Sequence, residues 1–182
     1  MCIRDRDKHA DLIENVFQAY EGPLVLDADG LNLLARNMDW LKLRAERPLI
    51  LTPHPGEGGR LLGLAAGQVN GDRETASRRL ADLSGAVTVL KGAGTLVSAP
   101  GKPTYINTTG NPGMATGGSG DVLSGIIGAL AGQGLSCFHA ALAGVYLHGL
   151  AGDLAADALG EYGMLASDIA AFTPLALKKT IG

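Results

Sequence analysis

Hydrophobic positions along this 182-residue chain follow two rhythms. Over residues 7–20, Leu12, Ile13, Val16 and Phe17 recur at three- and four-residue spacing, which predicts an amphipathic helix. Short, mainly apolar runs then appear at 23–27, 48–52 and 86–90, the first ending in an acid, and such runs read as strands buried on both faces. Helical spacing returns between them at 30–37, in the stretch entered through Pro53-His54-Pro55-Gly56-Glu57, and at 72–83. Residues 95–98 and 104–107 read as a hairpin. From 121 onward the pattern is helix after helix. Val122, Leu123, Ile126, Ile127 and Leu130 share one face of a helix opened by Asp121. Gly132-Gln133-Gly134-Leu135-Ser136 then supplies a stop and a new N-cap at Ser136.

Strands alternating with helices predict an α/β unit with a mostly parallel sheet covered by helices on both faces. No internal repeat and no long linker divides it, so residues 1–182 read as a single unit. In such sheets ligands bind beyond the carboxyl ends of the strands. The three apolar runs end in polar groups: Asp27 and Asp29, then Thr52 and His54, then Lys91 and Thr95. That coincidence predicts one functional rim.

Composition narrows the picture. Glycine supplies 27 residues without a repeating period, which means many tight loops rather than disorder. A net charge of −3 gives no electrostatic case for nucleic acid. Cys2 and Cys137 lack metal or redox spacing. Met1-Cys2-Ile3-Arg4-Asp5-Arg6 has no apolar secretory core, and the cytoplasm is the expected compartment. One stretch pulls the other way: residues 122–152 carry no Asp, Glu, Lys or Arg, and Gly128 and Gly132 form a GxxxG pair. The break at 132–136 favours two buried helices over a membrane span.

The densest chemistry lies in Gly110-Asn111-Pro112-Gly113-Met114-Ala115-Thr116-Gly117-Gly118-Ser119-Gly120-Asp121-Val122-Leu123. A glycine-rich loop entering a helix is an anion cradle, because the helix start leaves N–H groups unpaired and partly positive. Gly117, Gly118 and Gly120 provide left-handed backbone or close approach. Asp121 would take a proton from a hydroxyl meeting a phosphoryl group. In isolation the same residues serve equally well as a turn with an Asp cap. Asp27-Ala28-Asp29-Gly30-Leu31-Asn32 offers hard oxygen ligands for Mg²⁺, or a helix cap beside a solvated acid. His54, on a loop stiffened by two prolines, offers a donor to a carbonyl or phosphate or, taken alone, is simply exposed, and Glu57 favours the start of the following helix. Lys91-Gly92-Ala93-Gly94-Thr95 is a tight turn whose N–H groups and ammonium suit a phosphate or ribose, or in isolation a β-turn with a solvated lysine. His139, His148 and Asp153 read as satisfied core or interface polar groups.

Together these segments, with Gly144-Val145-Tyr146-Leu147-His148-Gly149-Leu150-Ala151-Gly152-Asp153, resemble the ADP/ATP-dependent NAD(P)H-hydrate dehydratases of the ribokinase-like fold. The resemblance implies phosphorylation of the ring hydroxyl of the S-epimer of NAD(P)H hydrate by ADP or ATP, then loss of phosphate to restore NAD(P)H. It implies Asp121 as the base and His54, Asp27, Asn32 and Asp121 as substrate-binding residues. It further implies Lys91, Gly92, Ala93, Gly94, Thr95 and Gly120 as nucleotide-binding residues and Asp29 as a ligand of Mg²⁺. A homo-tetramer is the implied assembly, with no nucleic-acid or membrane partner. Two departures stand out. Family members carry strands and a glycine-rich substrate loop before the first helix here, and residues 1–6 read as a foreign or disordered leader. The expectation is an N-terminally shortened unit with one open sheet edge. Gly58-Gly59 also opens a helix where better helix formers are expected. The alternatives are a small-alcohol kinase of the same fold, similar to hydroxyethylthiazole kinase, and an inactive nucleotide-binding fragment.

Overall fold

The computed structural model describes residues 3–182, with side chains from residue 10 onward. The chain runs α1 (Ile3–Ala19), β1 (Leu24–Leu26), α2 (Asp29–Leu34), α3 (Trp40–Leu43), β2 (Leu49–Leu51), α4 (Pro55–Leu62), α5 (Ala66–Gly71) and α6 (Arg73–Ser84). It continues through β3 (Val87–Leu90), β4 (Leu96–Ser98), β5 (Tyr105–Ile106), α7 (Ser119–Gly132), α8 (Cys137–Leu159) and α9 (Ala166–Ile181). Of the leader expected over 1–6, Met1 and Cys2 lie outside the described residues, and the rest runs in α1.

The five strands form one sheet in chain order. β1, β2 and β3 are parallel, while β3–β4 and β4–β5 are antiparallel. The expected hairpin at 95–107 is therefore the antiparallel end of the sheet. Leu26 pairs with Leu51 and Leu51 with Thr88, so the chain leaves all three parallel strands along one rim. Among the described residues β1 pairs with β2 alone, which leaves its other edge open.

Strand side chains alternate between two cores, as strands covered on both faces require. Leu49, Leu51, Leu90 and Leu96 join Phe17, Leu34, Trp40 and Leu80 from the helices that precede β3. Ile50, Val87, Val89 and Val97 pack instead on Leu123, Ile127 and Val145 of α7 and α8. α9 closes a third cluster against α8 through Ile169 and Ala176. The uncharged stretch 122–152 therefore lies mainly in two helices, with Ser136 capping α8 through His139 N. No described helix is long and apolar enough to cross a membrane.

Three local expectations change. Asp121 does not open its helix: α7 starts at Ser119 with Gly118 as N-cap, and Asp121 is its third residue. The short helices α3 and α5 lacked a periodic signal long enough to read. Gly58 and Gly59 have a packing reason, because a Cβ at Gly59 would sit 2.6 Å from Leu64 O and one at Gly58 3.2 Å from Leu80. The helix gives up propensity there for close approach of the next loop.

Candidate active site

The rim is built from the strand ends inward. Just past β1, Asp27 accepts a 2.8 Å bond from Ala28 N, and Ala28 takes the left-handed φ of 50° that turns the chain into α2. The Lys91 ammonium, just past β3, lies 2.6 Å from Asp27 Oδ1. Ser124 Oγ on α7 donates to Asp27 Oδ2 at 2.8 Å and stands 3.4 Å from Thr52 Oγ1. Burial by itself raises the Asp27 carboxyl, but Lys91, Ser124 and the Ala28 amide outweigh it and hold its pKa below the usual carboxylate range. Glu57 Oε2 lies 4.0 Å from Lys91 on the other side, and only 6% of the Glu57 side chain is exposed. Lys91 is thus fixed between two carboxylates.

Glu57 also closes the start of α4. Its Oε2 accepts from His54 N at 2.8 Å, while His54 Nδ1 accepts from Gly56 N at 2.9 Å and Glu57 N at 3.4 Å. With Nδ1 committed as an acceptor, the His54 proton resides on Nε2, 3.3 Å from Glu57 Oε1. The sequence reading of Glu57 as a helix-start residue holds, and its contact with Lys91 adds to it.

The glycine-rich loop is held from behind by α8. Asn107 Nδ2 donates to Val145 O at 3.2 Å and Thr109 Oγ1 to Tyr146 O at 2.9 Å. The Asp153 carboxylate accepts from Gly110 N at 2.9 Å and Asn111 Nδ2 at 3.0 Å. His148 Nε2 lies 3.0 Å from Ser119 O at the first turn of α7. Burial lowers the His148 pKa to about 4, against a smaller upward pull from Ser119, so the ring is neutral at neutral pH and Nε2 donates. His148 and Asp153 were expected as satisfied core or interface polar groups; both are satisfied, and the glycine-rich loop is what satisfies them. His139, expected with them, is instead exposed in the first turn of α8, bonded to the Ser136 cap. A Cβ at Gly149 would lie 2.2 Å from Thr109 Oγ1, so a side chain there would push the loop off the helix.

Of the three loop glycines, Gly118 alone takes a left-handed φ, 89°. Gly120 serves by closeness, since a Cβ there would lie 3.4 Å from Lys91 Nζ and 3.9 Å from Asp27 Oδ2. Asp121 is exposed and accepts no hydrogen bond from the described side chains or backbone. It shares a helix face with Gly128, seven residues on, where a Cβ would sit 3.9 Å from Val25 of β1. Asp121 therefore stands on the β1 side of α7.

A cleft of about 760 Å³ opens over this rim. Lys91, Gly92, Ala93, Gly94 and Thr95 form one wall, and His54, Gly120 and His148 also line it. Asp27 lies behind Lys91. Asp121, Asp29 and Asn32 are outside the lining. Asn32 is engaged by Arg60 Nε at 2.7 Å and donates to Asp29 Oδ1 at 3.4 Å. Among the described residues no three His, Cys, Asp or Glu side chains gather as a metal cage. Sequence reasoning did not single out Ser124 or Asn107, because neither belongs to a motif with chemistry of its own.

A family model for NAD(P)H-hydrate dehydratase matches residues 4–175. The chain belongs to the NAD(P)H-hydrate dehydratase family. It is 50% identical over 150 residues to the ADP-dependent (S)-NAD(P)H-hydrate dehydratase of Neisseria meningitidis, which covers 81% of this chain and 51% of that protein. It is 49% identical over 169 residues to the bifunctional NAD(P)H-hydrate repair enzyme of Moorella thermoacetica, covering 92% of this chain and 32% of that protein. The chain thus spans between about a third and a half of the length of these curated relatives. The ADP/ATP-dependent NAD(P)H-hydrate dehydratase of Bacillus subtilis, co-crystallised with ATP/Mg²⁺, superposes with a TM-score of 0.76 at 31% identity. That match covers 89% of this chain and 56% of the other. The fold is ribokinase-like, as the family's resemblance implied.

Proposed function

We propose that this chain carries the nucleotide-dependent dehydration of (S)-NAD(P)H hydrate to NAD(P)H, with ADP or ATP as co-substrate. The observation that carries the reading is the junction at Gly120. There the 91–95 turn, the Lys91–Asp27 pair and the N-terminus of α7 meet without an intervening side chain. Lys91, Gly92, Ala93, Gly94, Thr95 and Gly120 hold the nucleotide in the 760 Å³ cleft. The N–H groups of α7 and the Lys91 ammonium face its transferring phosphoryl group. His54, in the cleft wall, contacts the hydrated dinucleotide, and Asp27 acts behind it by fixing the Lys91 ammonium.

Asp121, exposed in the first turn of α7 next to Gly120, takes the proton of the ring hydroxyl. The hydroxyl oxygen then bonds to the terminal phosphorus, and the bond to the nucleotide's bridging oxygen breaks. Nucleotide departs one phosphate shorter. Phosphate is a far better leaving group than hydroxide, so its loss with a neighbouring ring proton re-forms the double bond.

The donor set suits Mg²⁺ carried in on the phosphates rather than caged by protein, since such ions commonly use one or two carboxylates. The exposed Asp29 is the ligand we assign, and the ion would neutralise phosphate charge. A cytoplasmic homo-tetramer completes the proposal. Leu165, Leu175 and Ile181 are exposed on or beside α9 and supply apolar surface for assembly, which light scattering of the purified chain tests.

The activity is tested by adding (S)-NADH hydrate with Mg²⁺ and following reduced nicotinamide by absorbance. NADH is expected only with ADP or ATP present, and Asp121→Asn is expected to slow its release by about 100-fold or more while nucleotide still binds. Release without nucleotide refutes the phosphorylation route. A stable phosphorylated product identifies a small-alcohol kinase instead, and nucleotide binding without turnover identifies an inactive fragment.

A further inference from the structure

The start of α6 breaks a local rule. Asp72 caps the helix by accepting from Thr75 N at 3.0 Å, as expected of an Asp in that place. The next residue is Arg73, a cation in the first turn, where the helix dipole favours anions. Its Nε is also buried without a hydrogen-bond partner. A residue held under these conditions needs a compensating role, and its guanidinium shows one. Nη2 donates to Leu90 O at 3.2 Å and Lys91 O at 3.3 Å, and Nη1 donates to Ala93 O.

These carbonyls belong to the turn that forms the nucleotide wall of the cleft. Gly92 O accepts from Thr95 Oγ1 at 2.9 Å, and Thr95 O from Asn107 N at 2.9 Å. Every carbonyl from Leu90 to Thr95 except that of Gly94 outside the strand ladder is therefore bound within the protein. The N–H groups behave oppositely. Lys91 N donates to Pro53 O at 2.8 Å, but the N–H groups of Gly92, Ala93, Gly94 and Thr95 have no acceptor among the described residues. All four residues line the cleft. Gly92 and Gly94 permit this arrangement through φ values of 137° and 60°. The turn is sorted by polarity, with acceptors satisfied inside and donors presented outward.

We propose that Arg73 is a positioning residue for nucleotide binding: it pins the carbonyls of the turn so that the donors of residues 92–95 form a fixed array for an acceptor-rich ligand, a nucleoside phosphate. The inference rests on the nucleotide reading given above. A planar fork serves three carbonyls at once, whereas a lysine ammonium is a single point charge on a flexible stem. Without the fork, the peptide groups of the turn are free to rotate, and each donor must be ordered again when ligand binds.

The test uses the full chain with Arg73→Met and Arg73→Lys, read by amide hydrogen exchange and by calorimetric titration with ADP. In Arg73→Met, exchange at the bonded amides at either end of the turn, Lys91 N on Pro53 O and Asn107 N on Thr95 O, is expected to rise at least about 10-fold, while the interior of α6 keeps its protection. Affinity for ADP is expected to fall about 10- to 100-fold, the range for losing hydrogen bonds from a charged donor. Arg73→Lys, with the charge retained, is expected to recover only part of both effects. Unchanged turn exchange in a folded Arg73→Met protein overturns the inference, whether or not ADP binds. Equal ADP affinity in the wild type and Arg73→Met also overturns it, as does loss of protection spread evenly through α6 and the turn. A wild-type chain that binds no ADP defeats the nucleotide reading itself, and the positioning claim falls with it.

Discussion

His148 makes folding stability depend on acid in a way that can be worked from its surroundings. Its pKa falls from 6.5 to about 4 because burial disfavours the charged ring. The unfolded chain therefore binds the proton first as pH drops. The contribution of His148 is complete above pH 6.5 and disappears progressively as pH falls through the folded value near 4. With those two values the loss at pH 5 relative to neutral pH is about 2 kcal/mol, approaching about 3 kcal/mol at lower pH. The assay is urea unfolding of the wild type and His148→Gln at pH 7 and pH 5. Glutamine retains an amide donor for Ser119 O but does not titrate in this range. Every other residue is common to both proteins, so the difference between them isolates position 148. The wild type is expected to lose about 2 kcal/mol more than the variant between the two pH values. Stability curves that run parallel from pH 7 to pH 5 would refute the reasoning. A His148 ring resonance that titrates near pH 6.5 would do the same.

Two further changes probe the packing and the polar root of the site. Gly59→Ala improves helix propensity by about 1 kcal/mol, yet its Cβ would meet Leu64 O at 2.6 Å. Overpacking costs about 1–3 kcal/mol, so calorimetry is expected to show a melting temperature lower by about 2–4 °C, and a rise would remove the close-approach argument. Ser124→Ala deprives Asp27 Oδ2 of its 2.8 Å donor and raises the Asp27 pKa towards the ordinary value. The stability from Asp27 is present above pH 3.8 and lost as pH falls through its lowered folded value, so this variant begins to lose it at higher pH. A loss of about 1–2 kcal/mol at neutral pH is expected in urea unfolding. An unchanged midpoint at both neutral and acid pH would show that Ser124 does not hold the carboxylate.

The kind of molecule this is can be read from the chain alone. Five-residue apolar runs between helical stretches predicted the α/β sheet, because buried strands and amphipathic helices impose different periods on the same hydrophobic residues. Polar residues at three strand ends predicted the rim, and Asp27, Lys91 and Gly120 do meet there. Those features are local, written in spacing and in the rules of turns and caps. Which partner each polar group takes is settled by folding in three dimensions. Asp27 could have bound solvent or metal, and the structure gives its oxygens to Lys91 and Ser124, 64 and 97 residues away. His148 and Asp153 looked like ordinary core polar groups until the 107–119 segment lay across α8. Arg73 had no motif at all, since its role depends on carbonyls 17 to 20 residues distant. Hydrogen-bond partners found across a fold leave no period in the chain. They arise from the register of the sheet and the docking of helices, where the energy of pairing a buried polar group exceeds any local preference.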